Sequence, residues 1–490
     1  MNAKLTVADK GDKATVSLLI GVFFLLQLVV AFFTYYHSLT FDEAMWQYIG
    51  RNWFRNGLTP YAGGIDNKSP LIFAVFGLSD KLFGVNFWFP RLLGICFQTT
   101  GIFFLYKLGK ILFSRSTALM AAIIYGLTLA WHVSGAKYVS NTESYSVACI
   151  IAAWYLSLSS EKNSQVFIAG IVAGVSCALR LTGFFGTIAL VLTLLIKKKQ
   201  NPTFLLMGAL TMIFFFAVFF ELLGINLHDL FTNQFFDNFS HGGVAGHSLN
   251  WRIQNFYDNF LRSGMLILLP GLVIYCFTKK ENNGLLIWLF LEFAGISIVG
   301  MYASQHFKNL LAPFALINAN AFNYLTGTRK ISPKWSIPIL CLFIFPISNE
   351  PLLSVKKIIF PPHPQIEMDG ACKNQQPDDD ARKRLGIWIK ENSSVSDKVF
   401  IAGYGAQIQA YSERISPSVY FNVTQTETAQ KRLFEDLASD KPAMILIPEF
   451  PEYERLVNPD FRNFVSNMVT RDYRYDRCLY GYGIYRRNPN

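Results

Sequence analysis

The sequence predicts a polytopic α-helical membrane protein with a small α/β domain at its C-terminal end. Three observations predict it. Of 490 residues, 52% are hydrophobic and 45 are phenylalanine, while only 16% are charged, against roughly 25% charged in an average soluble domain. A water-soluble core could not hide so much apolar surface. The apolar residues are gathered into runs of helical-span length. Basic residues cluster between those runs instead of interleaving with aromatics on one polar face, so the net charge of +11 reads mainly as a topology signal. Disordered, collagen-like and soluble nucleic-acid-binding classes are excluded, and no nucleic-acid partner is expected. Seven cysteines without C-x-x-C or Cys/His spacing argue against structural zinc.

The first apolar run, about Val16 to Tyr36, follows Lys4, Lys10 and Lys13. It is too long for a signal-peptide core and lacks a small-x-small cleavage site, so it is expected to remain as an anchor with the N-terminus in the cytoplasm. The next segment, Tyr36 to Asn86, holds two helical periodicities, Phe41–Asn56 and Pro70–Phe83, around the Gly- and Pro-rich linker Gly57–Ser69. Pro70 suits a first helical turn, and these helices are expected to lie in the outer membrane interface. Further runs lie near 87–107, 116–133, 144–159, 165–180, 183–196, 203–223, 264–277, 284–301, 309–325 and 335–348, giving about eleven spans in all. A second long outer segment, Asn226–Ser263, is rich in Asn, Phe and His.

Odd-numbered spans then run outward, and the inner loops collect Lys107, Lys110 and Arg115, then Lys197 to Lys199, Lys279 and Lys280, and Arg329, Lys330 and Lys334. Arg51, Arg55, Lys68, Lys81, Lys137, Arg180 and Lys308 fall outside, where positive charge is disfavoured, and need a local reason. Residues 1–348 are therefore read as the transmembrane domain and 349–490 as an extracytoplasmic α/β domain, in a chain placed in the inner (plasma) membrane. The strand-like runs of the outer domain are Lys398–Ala402, Ser418–Phe421 and Ala443–Ile447, and its helical stretches are Asp380–Glu391 and Thr426–Ser439. Cys372 and Cys478, near its two ends, are the candidate disulfide of an oxidising compartment. Cys96, Cys149, Cys177, Cys276 and Cys341 are expected to be packing residues.

Five constellations carry possible chemistry. Thr40-Phe41-Asp42-Glu43 follows span one: Thr40 and Glu43 have capping-box spacing, which leaves Asp42 without a structural task at a boundary where charge is costly. Asp66-Asn67-Lys68-Ser69-Pro70-Leu71 is either a solvated loop or an anion site, with an ammonium beside the N–H groups of a helix start. Asn141-Thr142-Glu143 opens span four, where Glu143 is a cap or a functional acid. Arg180 is the only charge between Val166 and Ile196, a functional candidate unless it snorkels. Gln305-His306-Phe307-Lys308-Asn309 is either a solvated turn or a substrate contact. All lie at helix ends on one side, without the midplane charges and internal repeats expected of a transporter.

These residues resemble the bacterial protein-mannosyltransferase-like and aminoarabinose-transferase-like membrane glycosyltransferases, which share the C-type glycosyltransferase fold. The likeness rests on Phe41-Asp42-Glu43-Ala44, Asp66 to Leu71, Arg91-Leu92, Ala136-Lys137-Tyr138 through Glu143, Gly170 to Gly174 through Arg180-Leu181-Thr182-Gly183, and His306 through Pro313. Gly403, Tyr404 and the stretch Arg414 to Tyr420 resemble the soluble tails of such enzymes. The chain departs from the family in Ser69-Pro70 where Pro-Pro is common, in Arg180 where lysine is frequent, and in Phe307 where tyrosine often follows the histidine.

The resemblance implies inverting sugar transfer from a polyprenyl-phosphate donor to a glycan, lipid or protein acceptor of the cell envelope, beside membrane lipids. Asp42, supported by Glu43, would deprotonate or orient the acceptor hydroxyl. Lys68 and Arg180 would hold the departing lipid phosphate. Asp66, Glu143 and His306 would orient substrate or hold a divalent cation, a cofactor the chemistry leaves open. The competing expectation is a transporter or flippase of lipid-linked sugars, which needs functional charges within the spans, with Glu221 and Glu292 as the acids near or inside them. A third is an inactive scaffold whose outer domain binds a partner.

Overall fold

The structure, a computed structural model, describes residues 2–34, 38–131, 139–198, 200–236, 248–262, 265–278, 283–329, 377–422, 427–450 and 459–489. The chain is mostly helical with one small sheet near its C-terminus. It divides into two compact units: residues 1–35, 91–219 and 242–361 form one, and residues 36–90, 220–241 and 362–490 the other. The boundary expected at 348/349 lies outside the described residues.

In the helical unit the elements are α1 (Asn2–Val29) with a π-helical turn at Val30–Thr34, the main part of α4 (Trp88–Leu112), α5 (Arg115–Trp131), α6 (Thr142–Leu158), α7 (Asn163–Leu179) and α8 (Gly183–Lys197). They continue with most of α9 (Pro202–Leu222), then α11 (Leu249–Arg262), α12 (Leu269–Thr278), α13 (Asn283–Val299) and α14 (Lys308–Arg329). In their described residues the apolar runs expected from 16–36 to 309–325 are mainly helical; the last, 335–348, lies outside the described residues. Among the described residues, Ala14–Phe32, Trp88–Leu112 and Pro202–Leu222 are long and apolar enough to cross a membrane, and Arg115–Leu129, Asn163–Leu179, Gly183–Lys197 and Asn283–Ile298 are shorter apolar helices. Between α7 and α9 the packing uses absent side chains: Gly170 and Gly174 lie against the backbone of Leu205 and Ala209, and Gly208 against Phe167. Small residues let apolar helices approach where no hydrophobic drive separates helix from lipid. Trp154 of α6 stacks on Trp288 of α13 at 4.4 Å between ring centroids, and both are buried.

The second unit joins residues 36–90 and 220–241 to the C-terminal tail. Its loop helices are α2 (Phe41–Asn56) and α3 (Pro70–Phe83), with the bounds that periodicity predicts. Thr40 and Glu43 form a complete capping box, and Gly57 ends α2 in the left-handed region at φ 69°, where glycine carries no Cβ penalty. Ser69 caps α3 ahead of Pro70. The two helices cross where Gly50 faces Gly77. Gln47, Arg51 and Arg55 form one polar stripe on α2, all aimed at Asp80 of α3. Gln47 Nε2 donates to Asp80 Oδ2 at 2.7 Å and Arg55 Nε to Oδ1 at 2.6 Å, and Arg51 completes an ion pair with a carboxylate that is 0% exposed. Burial on these terms demands paired charge. Of the out-of-place cations, Arg51 and Arg55 therefore have their local reason.

The tail contributes α15 (Asp379–Glu391), β1 (Val399–Ile401), α16 (Ala406–Ser412), α17 (Glu427–Ser439), β2 (Met444–Pro448), α18 (Pro459–Asp472), β3 (Tyr473–Leu479) and β4 (Tyr482–Arg487); the remaining helix of this unit is α10 (Leu227–Phe231). The sheet order is β1-β2-β4-β3, with β1 and β2 parallel and the other pairs antiparallel. Two of the three expected strands are present. Ser418–Phe421 is irregular instead: its apolar and aromatic residues meet the loop, Val419 O accepting from Ile65 N at 3.1 Å and Phe421 packing on Tyr48 at 4.2 Å. Further contacts fasten α16 to α2: Arg51 Nη1 donates to Ala410 O at 2.7 Å, and Leu39 N to the Tyr411 hydroxyl at 2.8 Å. Burial pushes the Tyr48 phenol up from its ordinary range, so its oxygen stays a neutral acceptor for Ser416 N at 2.9 Å. Cys478 is disulfide-bonded; Cys372 lies outside the described residues. Cys96, Cys149, Cys177 and Cys276 are free thiols.

Candidate functional site

Two polar clusters, one in each unit, contain the predicted residues. In the loop-and-tail unit, Asp42 sits half-buried at the second position of α2, where the N-terminal dipole favours a carboxylate. Its neighbour Glu43 is buried, and its Oε2 accepts from Thr40 N at 2.8 Å, so Glu43 serves the cap. Phe41 packs edge-on against Tyr404 of the tail at 5.9 Å. Asp66 is held from both sides: Trp46 Nε1 donates to Oδ2 at 2.8 Å and Asn67 N to Oδ1 at 2.8 Å. The half-buried Lys68 directs its ammonium to Asn67 Oδ1 at 2.5 Å, and its carbonyl accepts from the Tyr61 hydroxyl at 2.8 Å. Tyr61 adopts φ 70°, a strained backbone for a side chain of that size. Burial raises its phenol far above the ordinary range, which keeps it a donor. The lysine is thus carried on a loop pinned by hydrogen bonds, just ahead of the N–H groups of α3, and no carboxylate neutralises it within ion-pair distance among the described residues.

In the helical unit Glu143 and Arg180 also sit at helix ends. Glu143 lies in the first turn of α6, and Arg180 is the C-cap of α7 with extended backbone, φ −158° and ψ 128°. Each is where the helix dipole favours its sign. The two form an ion pair, with side chains 4% and 11% exposed. Arg180 Nε also donates to Thr182 Oγ1 at 2.6 Å. His306 comes from the short 3₁₀ turn Ser304–Phe307 and brings Nε2 to 3.8 Å from Glu143 Oε1. Glu143, Arg180 and His306 are therefore one cluster, drawn from three separate elements.

Two members were legible only in part. Lys308 and Asn309 belong to the stretch expected as a solvated turn or a substrate contact, and both are buried. Lys308 Nζ donates to Ser144 Oγ at 3.0 Å. Asn309 Nδ2 bridges Glu292 Oε2 at 2.9 Å and Thr182 Oγ1 at 3.4 Å, while Trp288 Nε1 donates to Glu292 Oε1 at 3.2 Å. The apolar partner Phe307, 0% exposed, was the signal that this turn faces inward.

Both Asp66 oxygens are engaged by N–H donors, Glu143 is bound to a guanidinium, and among the described residues no three His, Cys, Asp or Glu side chains converge to hold a metal ion.

Residues 67–221 match the family described as dolichyl-phosphate-mannose-protein mannosyltransferase, a segment that includes Lys68, Glu143 and Arg180. No curated protein matches the chain by sequence. Among solved structures, ArnT from Cupriavidus metallidurans bound to undecaprenyl phosphate aligns over 97% of this chain and 99% of its own, at 13% identity and TM-score 0.64. Its apo form aligns over 98% and 99%, at 12% and 0.65. The chain has the C-type glycosyltransferase fold. The oligosaccharyltransferase of Archaeoglobus fulgidus in its apo form shares that fold over 88% of this chain and 69% of its own, at 11% identity and TM-score 0.56. The expected integral-membrane, helical architecture with a small C-terminal sheet agrees with these structures.

Proposed function

We propose that the chain is an inverting membrane glycosyltransferase. It transfers a sugar from a polyprenyl-phosphate donor to a glycan, lipid or protein acceptor of the cell envelope, at the extracytoplasmic face of the inner membrane. The observation that carries this reading is the end-to-end agreement with a fold solved with undecaprenyl phosphate bound. In the same orientation the N-terminus is cytoplasmic, about eleven spans occupy residues 1–348, and residues 349–490 stand outside, joined by the first outer loop and stapled by Cys372 and Cys478.

The reaction breaks the bond between the anomeric carbon and the phosphate oxygen and forms one to the acceptor oxygen. The acceptor proton passes to Asp42, whose carboxylate stands at the start of α2 while Glu43 fixes that start through its cap. A positioned base of this kind contributes about 10²–10⁴-fold. The electron pair leaves with the lipid phosphate, whose growing charge is met by Lys68 and Arg180. Arg180 offers a planar fork where lysine offers a point charge. Glu143 and His306 position Arg180, and Asp66 positions the loop that carries Lys68. Glu292 is engaged by Asn309 and Trp288, which makes it a member of the packed network and not the open midplane carboxylate that a flippase requires.

The test is reconstitution of the full chain with candidate polyprenyl-phosphate sugars, measuring released lipid phosphate and labelled acceptor. Asp42→Asn is expected to abolish release while the protein still inserts and remains folded. A fully active Asp42→Asn would refute the base assignment. Transbilayer movement of intact donor, with its glycosyl–phosphate bond unbroken, would replace the enzyme with the transporter.

A further inference from the structure

A polar cavity of about 510 Å³ opens on the C-terminal sheet, lined by Lys398, Asp440, Lys441, Arg474, Arg486 and Arg487 among others. Its charges do not balance. Lys398 pairs with Asp440, Lys441 with Asp472 at 2.9 Å, and Arg486 with Asp476 at 2.8 Å. Asp397, the remaining acid of the lining, accepts from Ser394 N at 2.7 Å. The five cations Lys398, Lys441, Arg474, Arg486 and Arg487 thus exceed the four acids by one, and Arg474 and Arg487, both exposed, have no carboxylate within ion-pair distance among the described residues. The ladder adds a like-charge pair: Arg474 of β3 is the direct cross-strand partner of Arg486 of β4, while Arg487, opposite Tyr473, lies on the other face. Like charges facing each other on one side of an antiparallel pair are destabilising. Tyr473 and Ile484, on the same two strands, are buried in the domain core, so the core does not require arginine at these exposed positions.

We propose that this cavity binds a phosphate-bearing saccharide. Arg474 and Arg487 come from opposite faces of the β3–β4 pair and both line the cavity, so two guanidiniums with no carboxylate neighbour among the described residues are available to phosphate oxygens, with Asp440 and Asn488 on the wall to accept from and donate to sugar hydroxyls. The lining is polar and carries no aromatic side chain, which disfavours a neutral sugar held by ring stacking. Under the glycosyltransferase reading, on which this identification of the ligand as acceptor rests, the site captures the acceptor by a phosphate group remote from the reacting hydroxyl. Binding itself is independent of transfer, so the two can fail separately.

The experiment is isothermal titration of the detergent-solubilised full chain with glucose 1-phosphate, inorganic phosphate, glucose and dihexanoyl phosphatidylglycerol. Glucose 1-phosphate should bind at least several-fold tighter than inorganic phosphate, and glucose should not bind. The double variant Arg474→Gln/Arg487→Gln should weaken glucose 1-phosphate about tenfold or more, with retained elution profile and melting behaviour; in Asp42→Asn the affinity should be unchanged. Equal affinity in wild type and double variant overturns the proposal. So does inorganic phosphate binding as well as the sugar phosphate, which reduces the site to a plain anion patch, or tighter binding of the phosphatidylglycerol, which gives it to a lipid headgroup. Loss of transfer in Asp42→Asn with intact glucose 1-phosphate binding leaves this site standing; absence of transfer by the wild type with binding intact overturns the enzyme and not the cavity.

Discussion

Arg180 joins structure to chemistry, and the two roles can be separated. Replacing it with leucine leaves Glu143, 4% exposed, without its guanidinium, and breaking a buried pair from one side costs ~3–5 kcal/mol. The lower end applies because Arg180 keeps 11% exposure and His306 stands 3.8 Å from the same oxygen. Adding Glu143→Gln removes the orphaned charge, and exchanging both members of a buried pair for neutral groups is often close to neutral in stability. What stays lost is the hydrogen bond to Thr182, worth ~1 kcal/mol net, or somewhat more for a charged donor. Folding should therefore rank wild type, then the double variant, then Arg180→Leu. Transfer should rank differently: both variants lack the cation on the leaving phosphate, a loss of about 10²–10³ in rate by analogy with other preorganised charge stabilisers. Arg180→Lys should fall between, keeping charge without the fork. The assay pairs denaturant unfolding in micelles with lipid-phosphate release. A double variant that transfers at the wild-type rate would refute the phosphate role, and an Arg180→Leu as stable as wild type would refute the energetic coupling to Glu143.

Lys68→Ala should raise donor KM about tenfold, the order expected for one lost charge-assisted contact, with little change in unfolding; unchanged donor affinity would return Lys68 to an ordinary loop cation. Asp80→Ala strands the buried Arg51 and should destabilise the loop-and-tail unit by ~3–5 kcal/mol, visible as faster proteolysis between α2 and α16; protease resistance equal to wild type would contradict the packing described. Gly77→Ala places a Cβ 2.5 Å from Phe54 Cδ2 and the Gly50 carbonyl, an overpacking cost of ~1–3 kcal/mol, and should reduce stability where an alanine at the open Gly327 does not.

Much of the frame was legible because its signals are local. The bounds of α2 and α3 follow from Thr40, Glu43, Gly57, Ser69 and Pro70, residues that act within a turn of where they stand. The cluster of Glu143, Arg180 and His306 was legible as a set of suspicious charges, since a lone arginine in an apolar stretch asks for a partner, but nothing in sequence spacing says that the partner lies 37 residues upstream. Asp80 passed unnoticed although Gln47, Arg51 and Arg55 recur at helical spacing, a polar stripe that calls for an acid on the facing helix. Lys308 and Asn309 read from sequence as part of a solvated turn or a substrate contact; their burial is decided by helices far away in sequence. Ser418–Phe421 failed as a strand for the same reason, its β-forming residues being used by Ile65 and Tyr48 in place of a sheet neighbour.

The placement of charge explains why the fold tolerates it. A carboxylate in the first turn of α6 and a guanidinium at the end of α7 are each stabilised by their own helix before they meet, so their pairing costs less than the same charges at midhelix would. Glu292 has no such help: it lies inside α13 and depends on the amide of Asn309 and the indole of Trp288 for its hydrogen bonds. Asn309 in turn shares Thr182 with Arg180. The residue that holds the midhelix acid thus also braces the residue beside the proposed phosphate cation. A buried network in which one amide satisfies two demands is costly to leave half-made, and that gives the junction of the Ser304–Phe307 turn with α14 a physical reason to hold its position whether or not a donor is bound.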